Sequence, residues 1–153
     1  MTKEQLIRYI LTDIDVELSD EFDRNFSQGS FFGEPWPNKK TGEPSHLIKS
    51  GKLRRSIRSQ IIKNGVRWTS SEVYAAIHNE GGTITVTERM KKYFWAMFKK
   101  TKLPSFKRMA LMKVGSKINI PKRQFIGDHA RVHRAVERCI DDNVSAYLNQ
   151  LIK

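Results

Sequence analysis

Apolar residues recur at helical spacing at both ends of the chain and at strand spacing between them. Near the N-terminus Leu6, Ile7, Ile10, Leu11, Ile14, Leu18, Phe22 and Phe26 fall three and four apart. This single stripe predicts a long amphipathic helix over 1–26, and Thr2 with Gln5 reads as the capping box that opens it. At the other end Val132, Ala135, Val136, Cys139, Ile140, Val144, Tyr147, Leu148 and Leu151 repeat the pattern. They predict a last helix over 128–152, with Asp128 as its N-cap. Cys139 sits on that stripe and reads as a small buried hydrophobe rather than a reactive thiol.

Between the helices the period changes several times. Leu47, Ile48, Leu53 and Ile57 fit a short helix that crosses Ser50-Gly51. Two β-rich runs flank Asn64-Gly65, the strongest short hairpin signal, and predict strands over 57–63 and 66–71. A short helix over 73–79 and a strand over 83–86 follow, turned by Gly81-Gly82. Thr87 then caps a helix over 89–100, a second basic, Met-rich segment covers 105–113, and a strand runs through Ile118 and Ile120. Residues 27–49 carry no period. Gly29, Gly33, Pro35, Pro37, Gly42 and Pro44 predict an extended loop, and Phe31, Phe32 and Trp36 lie in it, either pinning it to its own domain or offering an inter-subunit contact.

The fold class expected is α+β: a small antiparallel sheet with a β-hairpin, packed against long N- and C-terminal helices. One domain over 1–153 is expected, with the acidic helix at 1–26, the loop at 27–49, and the hairpin and sheet at 50–127. Basic helices at 88–113 are inserted in that third part, and the last helix spans 128–152. A length of 153 residues and a hydrophobic share of 39% suffice for a core without cross-links, and the single cysteine excludes an internal disulfide. No apolar run approaches the ~18 residues of a membrane span, and no signal-peptide core opens the chain. A soluble protein made in a cytoplasm is expected, with no membrane partner.

Charge sharpens this picture. The net charge is +12, yet residues 1–26 hold three bases against seven acids, a net −4 that leaves +16 on the rest. An acidic helix on a basic body suits a subunit that stacks on a neighbour or faces nucleic acid. Lys91, Lys92, Lys99, Lys100, Lys107 and Arg108 are interleaved with aromatics and are candidate partner contacts, as are Phe31, Phe32 and Trp36.

Catalytic patterns are missing. His129 and His133 stand four apart on a predicted helix, but no third ligand follows at a motif spacing, and a polar helix face explains the pair. His78-Asn79 lacks the second His of a nuclease motif, and His78 reads as a structural residue capping its own short helix. Gly81-Gly82 lacks what a phosphate-binding loop needs, and no Gly-x-Ser-x-Gly elbow occurs. No enzyme, cofactor, metal or small-molecule substrate is expected.

Three segments form an ordered set: Ser50-Gly51-x-Leu53-x-x-Ser56-Ile57, Val73-Tyr74-Ala75-x-Ile77-His78-x-x-Gly81-Gly82, and Ile120-Pro121-x-Arg123-x-Phe125-Ile126-Gly127. This set resembles the phage virion morphogenesis family, which includes the Mu-like protein G and the S-type tail-completion proteins, over about residues 47–152. Family members commonly carry Pro where this chain has Gln124, and often Gln after the His where it has Asn79-Glu80. The resemblance implies a structural protein of tail completion or head–tail joining, a ring subunit at the tail–neck junction. It further implies partners in a second copy of the chain and in neck and tail proteins, with a place in the virion and in the host cytoplasm during assembly. Leu53, Ser56, Tyr74, Ala75, Ile77, His78, Gly81, Gly82, Pro121, Arg123, Phe125 and Gly127 are then the family-motif residues. Tyr74, Ile77, His78, Gly81 and Gly82 would build a turn, and Arg123 and Phe125 would anchor the last helix. The competing readings are a basic accessory protein that binds DNA without sequence preference, and a toxin-like nuclease using His78 or His129 and His133.

Overall fold

A computed structural model describes residues 1–39 and 42–152. Lys40 and Thr41 of the expected loop, and Lys153 at the end of the expected domain, lie outside the described residues.

The N-terminal stripe folds as α1 (Lys3–Gln28), opened by the Thr2–Gln5 capping box and closed by left-handed Gly29. Its C-terminal half is the part that enters the core: Ile14, Leu18, Phe22, Asn25 and Phe26 are buried, whereas Ile7 is exposed. The last stripe forms α6 (Ala130–Leu151). Its cap is His129 rather than Asp128, because the His129 Nδ1 accepts the Arg131 amide at 3.1 Å. Asp128 instead meets the His133 Nε2 at 2.5 Å. The two long helices pack antiparallel: Asp13 accepts from Asn143, Glu17 pairs with Arg138, and the Cys139 thiol donates to Glu17 at 3.3 Å. Cys139 is buried on the stripe, and burial pushes its thiol pKa up.

The segment expected to be an open loop is shaped by its aromatics. A two-residue hairpin forms from β1 (Ser30–Phe31) and β2 (Glu34–Pro35), and Phe31, Phe32 and Trp36 are all buried within the chain. These three are therefore core residues, and their reading as exposed partner contacts is corrected. The short helix also does not cross Ser50-Gly51. Gly51 is left-handed at φ 67° and starts α2 (Lys52–Ser56), with Leu47 also at positive φ.

β3 (Ile57–Ile62) and β4 (Gly65–Ser70) make the expected hairpin, with Ile61 opposite Val66 and Ser59 opposite Trp68. α3 (Ala75–Glu80) leads into β5 (Gly82–Thr85), which pairs antiparallel with β6 (Lys117–Ile120). Between those two strands α4 (Glu88–Thr101, capped by Thr87) and α5 (Pro104–Ala110) pack on each other. Among the described residues the antiparallel pairing takes the form of three separate two-stranded ladders between long terminal helices, an α+β arrangement.

Two core clusters result. One joins Ile14, Leu18 and Phe22 of α1 to Phe31, Phe32, Ala135 and Cys139, with Val66 and Trp68 against it. The other joins Phe26, Trp36, Leu53, Ala75 and Phe125. Among the described residues neither includes any position from 82 to 120.

Candidate interaction surface

The three motif segments converge on the second cluster. Leu53 from α2, Ala75 from α3 and Phe125 from the segment before α6 meet around Phe26, whose ring lies 4.9 Å from that of Phe125. Polar groups lock the convergence. The Arg123 amide donates to the His78 carbonyl at 2.8 Å, and its guanidinium donates to the Pro37 and Asn38 carbonyls at 3.0 and 3.2 Å. The Asn79 Oδ1 accepts the Phe125 and Ile126 amides at 2.9 and 3.1 Å, and the Trp36 Nε1 donates to the Gln124 carbonyl at 2.7 Å. The Ser56 hydroxyl donates to the Leu53 carbonyl at 2.6 Å and lies 2.7 Å from the Ser70 hydroxyl, tying α2 to β4.

Gly81 is required by space and by backbone. Its φ and ψ of 73° and 175° fall where essentially only glycine goes, and a Cβ there would sit 2.8 Å from the Lys122 amide nitrogen. Gly82 lies over Ile77, and Gly127 has its φ at 148°. Tyr74 packs edge-on to His78 at 5.9 Å. Pro121 is exposed, and it lies between the end of β6 and Arg123.

Two asparagines complete this junction. Asn25, buried beside Phe26, donates to the Phe125 carbonyl and accepts the Phe32 amide, so one side chain joins α1, the small hairpin and the third motif. In sequence its only signal is a polar residue within an apolar stripe. Asn79 was visible only as a departure from the family pattern. His78 does not cap its helix by side chain. Its buried Nδ1 meets no partner among the described residues, and burial followed by the nearby Arg123 charge pushes its pKa down. It is neutral at pH 7 and holds the junction through its carbonyl.

The two histidines of the last-helix region are also engaged. His129 caps α6 and stacks on Phe32 at 4.8 Å, while His133 faces Asp128. Among the described residues no three His, Cys, Asp or Glu side chains gather where a metal ion could be held. Among the described residues no helix is long and apolar enough to cross a membrane.

The basic candidates occupy a different region, the arm formed by residues 82–120. It carries ten Lys and Arg against the single acid Glu88. Met90, Phe94, Met97 and Phe98 half-bury themselves against α5, with Phe94 facing Phe106 at 6.5 Å. Lys102 and Lys107 stand 6.0 and 5.8 Å from the Phe98 ring centre. Lys92, Lys99, Lys100, Lys107 and Arg108 are exposed, Lys91 is half-buried, and Tyr93 and Trp95 also reach solvent.

An α+β chain with one rigid motif junction and a basic, aromatic-bearing surface is thus defined by fold and geometry. The model of the phage virion morphogenesis family matches residues 2–145, and the chain belongs to that family. The match takes in α1, which lies outside the expected resemblance over about 47–152. No curated protein and no solved structure matches the chain. Its role is that of a phage morphogenesis protein.

Proposed function

We propose that the protein completes the tail or joins it to the head, as a ring subunit at the tail–neck junction. The observation that carries this reading is the family match over 2–145, which includes all three motif segments. The physical design agrees with it. The family motif builds a rigid body, and the charged surfaces lie away from that body, where neighbours can reach them. A subunit with an acidic helix and a basic remainder is suited to a head-to-tail contact, which closes into a ring when the rotation per subunit allows. A basic lining would also tolerate DNA passing through such a ring.

The test removes the gene from the phage or prophage that carries it and supplies labelled protein in trans. Heads and tails should accumulate unjoined without it, and electron microscopy should place the label at the head-proximal end of the tail. Joined, infectious particles in its absence, or label elsewhere on the particle, would contradict the reading. The charge of the arm favours one alternative, an accessory protein that binds DNA without sequence preference. That alternative requires affinity for duplex DNA that falls steeply with salt.

A further inference from the structure

Two exposed helix faces in this chain carry complementary patterns at the same spacing. On α4, Lys92, Trp95 and Lys99 stand three and four residues apart on one exposed face. On α1, Asp13, Val16 and Asp20 repeat that spacing and are exposed, with Tyr9 one turn before Asp13, although Asp13 also accepts a hydrogen bond from Asn143 of α6 at the edge of the helix pair. The ends of each stripe lie seven positions apart, about 10.5 Å of helix, so the charges of one can meet those of the other in register. Both apolar centres are left in water: Val16 is 60% exposed, Tyr9 57% and Trp95 37%. Among the described residues none of Asp13, Asp20, Lys92 and Lys99 takes part in an ion pair within the chain.

The geometry points to a docking contact between two copies, in which α4 of one copy lies on the outer face of α1 of the next. Trp95 seats against Val16 and Tyr9, and Lys92 and Lys99 pair with Asp13 and Asp20. An aromatic anchor inside a charged rim is the composition that concentrates binding energy, and the opposed charges set register and exclude a contact between like faces. Used head to tail, as the ring-subunit reading requires, the contact leaves one free donor and one free acceptor face on every pair, which a closed ring or an open filament satisfies. This inference rests on the ring-subunit reading and names the surfaces that would form the ring.

The test uses two full-length variants, Lys92→Asp/Lys99→Asp and Asp13→Lys/Asp20→Lys, with sedimentation velocity as the readout and circular dichroism as a check that both fold. The wild-type chain should self-associate with rising concentration, and each variant alone should associate at least about tenfold more weakly. An equimolar mixture should regain association, because each variant restores the complement of the other. Unchanged association in either variant, no recovery in the mixture, or a wild-type chain that stays monomeric overturns the proposal. So does a mass increase seen only with added duplex DNA and lost only in the lysine variant, which assigns the basic stripe to DNA. Should a variant misfold, carbodiimide cross-linking of mixed light and heavy wild-type protein decides. Links from Lys92 or Lys99 to Asp13 or Asp20 of the other copy support the contact, and links that all fall elsewhere overturn it. Variants that fail to associate yet still join heads to tails reject this interface alone. Particles that join without the protein reject the joining reading itself.

Discussion

The motif junction and the arm differ in how their side chains are spent. At the junction the buried side chains pack or bond inside the chain: Phe125 fills the core beside Phe26, Asn79 satisfies two amides, and Arg123 holds two carbonyls. On the arm, the lysines and Trp95 meet solvent, and no position from 82 to 120 enters either core cluster. The first pattern belongs to residues that make the fold, and the second leaves side chains open to solvent. In the proposed contact, the residues by which the family is known are not the ones that meet a neighbour.

Substitutions should divide along the same line. The largest effect is expected from Phe125→Ala, which empties the centre of the second cluster and should cost about 3–5 kcal/mol in denaturant unfolding. A loss below about 1 kcal/mol would mean that the junction is not the core it looks like. Asn79→Ala leaves two backbone amides without their acceptor, and a loss of about 1–3 kcal/mol is expected for each amide that water does not reach. Gly81→Ala forces a side chain into a glycine-only backbone region against Lys122, and about 1–3 kcal/mol should be lost there.

A smaller effect concerns pH. The folded pKa of His78 lies below the ordinary 6.5, so the unfolded chain binds the extra proton first on acidification. The stability tied to neutral His78 is present above pH 6.5 and declines as the pH falls from there through the folded value. A His78→Asn variant should show a flatter melting temperature against pH in that window, and an unaltered slope would remove His78 from the account. Smallest of all, Lys92→Asp/Lys99→Asp should move stability by no more than about 0.5 kcal/mol per site, since both side chains stand in water. A large destabilisation would show that these lysines serve the fold and would erase the contrast between the regions.

Much of this was legible in sequence, for physical reasons. The terminal helices carry stripes of eight or more apolar residues, so packing and propensity agree over many turns. Asn64-Gly65 marks the hairpin because few other pairs fit its turn. Other features depend on contacts distant in sequence and left little local trace. Phe31, Phe32 and Trp36 have no period, and their segment joins the core through packing on Phe22 and Phe26 of α1 and through hydrogen bonds with Asn25 and Gln124. The cap of α6 slipped from Asp128 to His129 because an imidazole stacked on Phe32 is already in place to accept the amide. The aromatic spacing of α4 was visible, but that its partner is α5 and not the main core was not.

Amide hydrogen exchange on the free chain and on the assembled protein tests the central claim most directly. The account predicts that amides of α3 and of Phe125 and Ile126 are protected to the same degree in both states. Those of α4 and of the outer face of α1 should gain protection only on assembly. Assembly that protects the junction instead, or that leaves α4 and α1 as exchangeable as in the free chain, would contradict it.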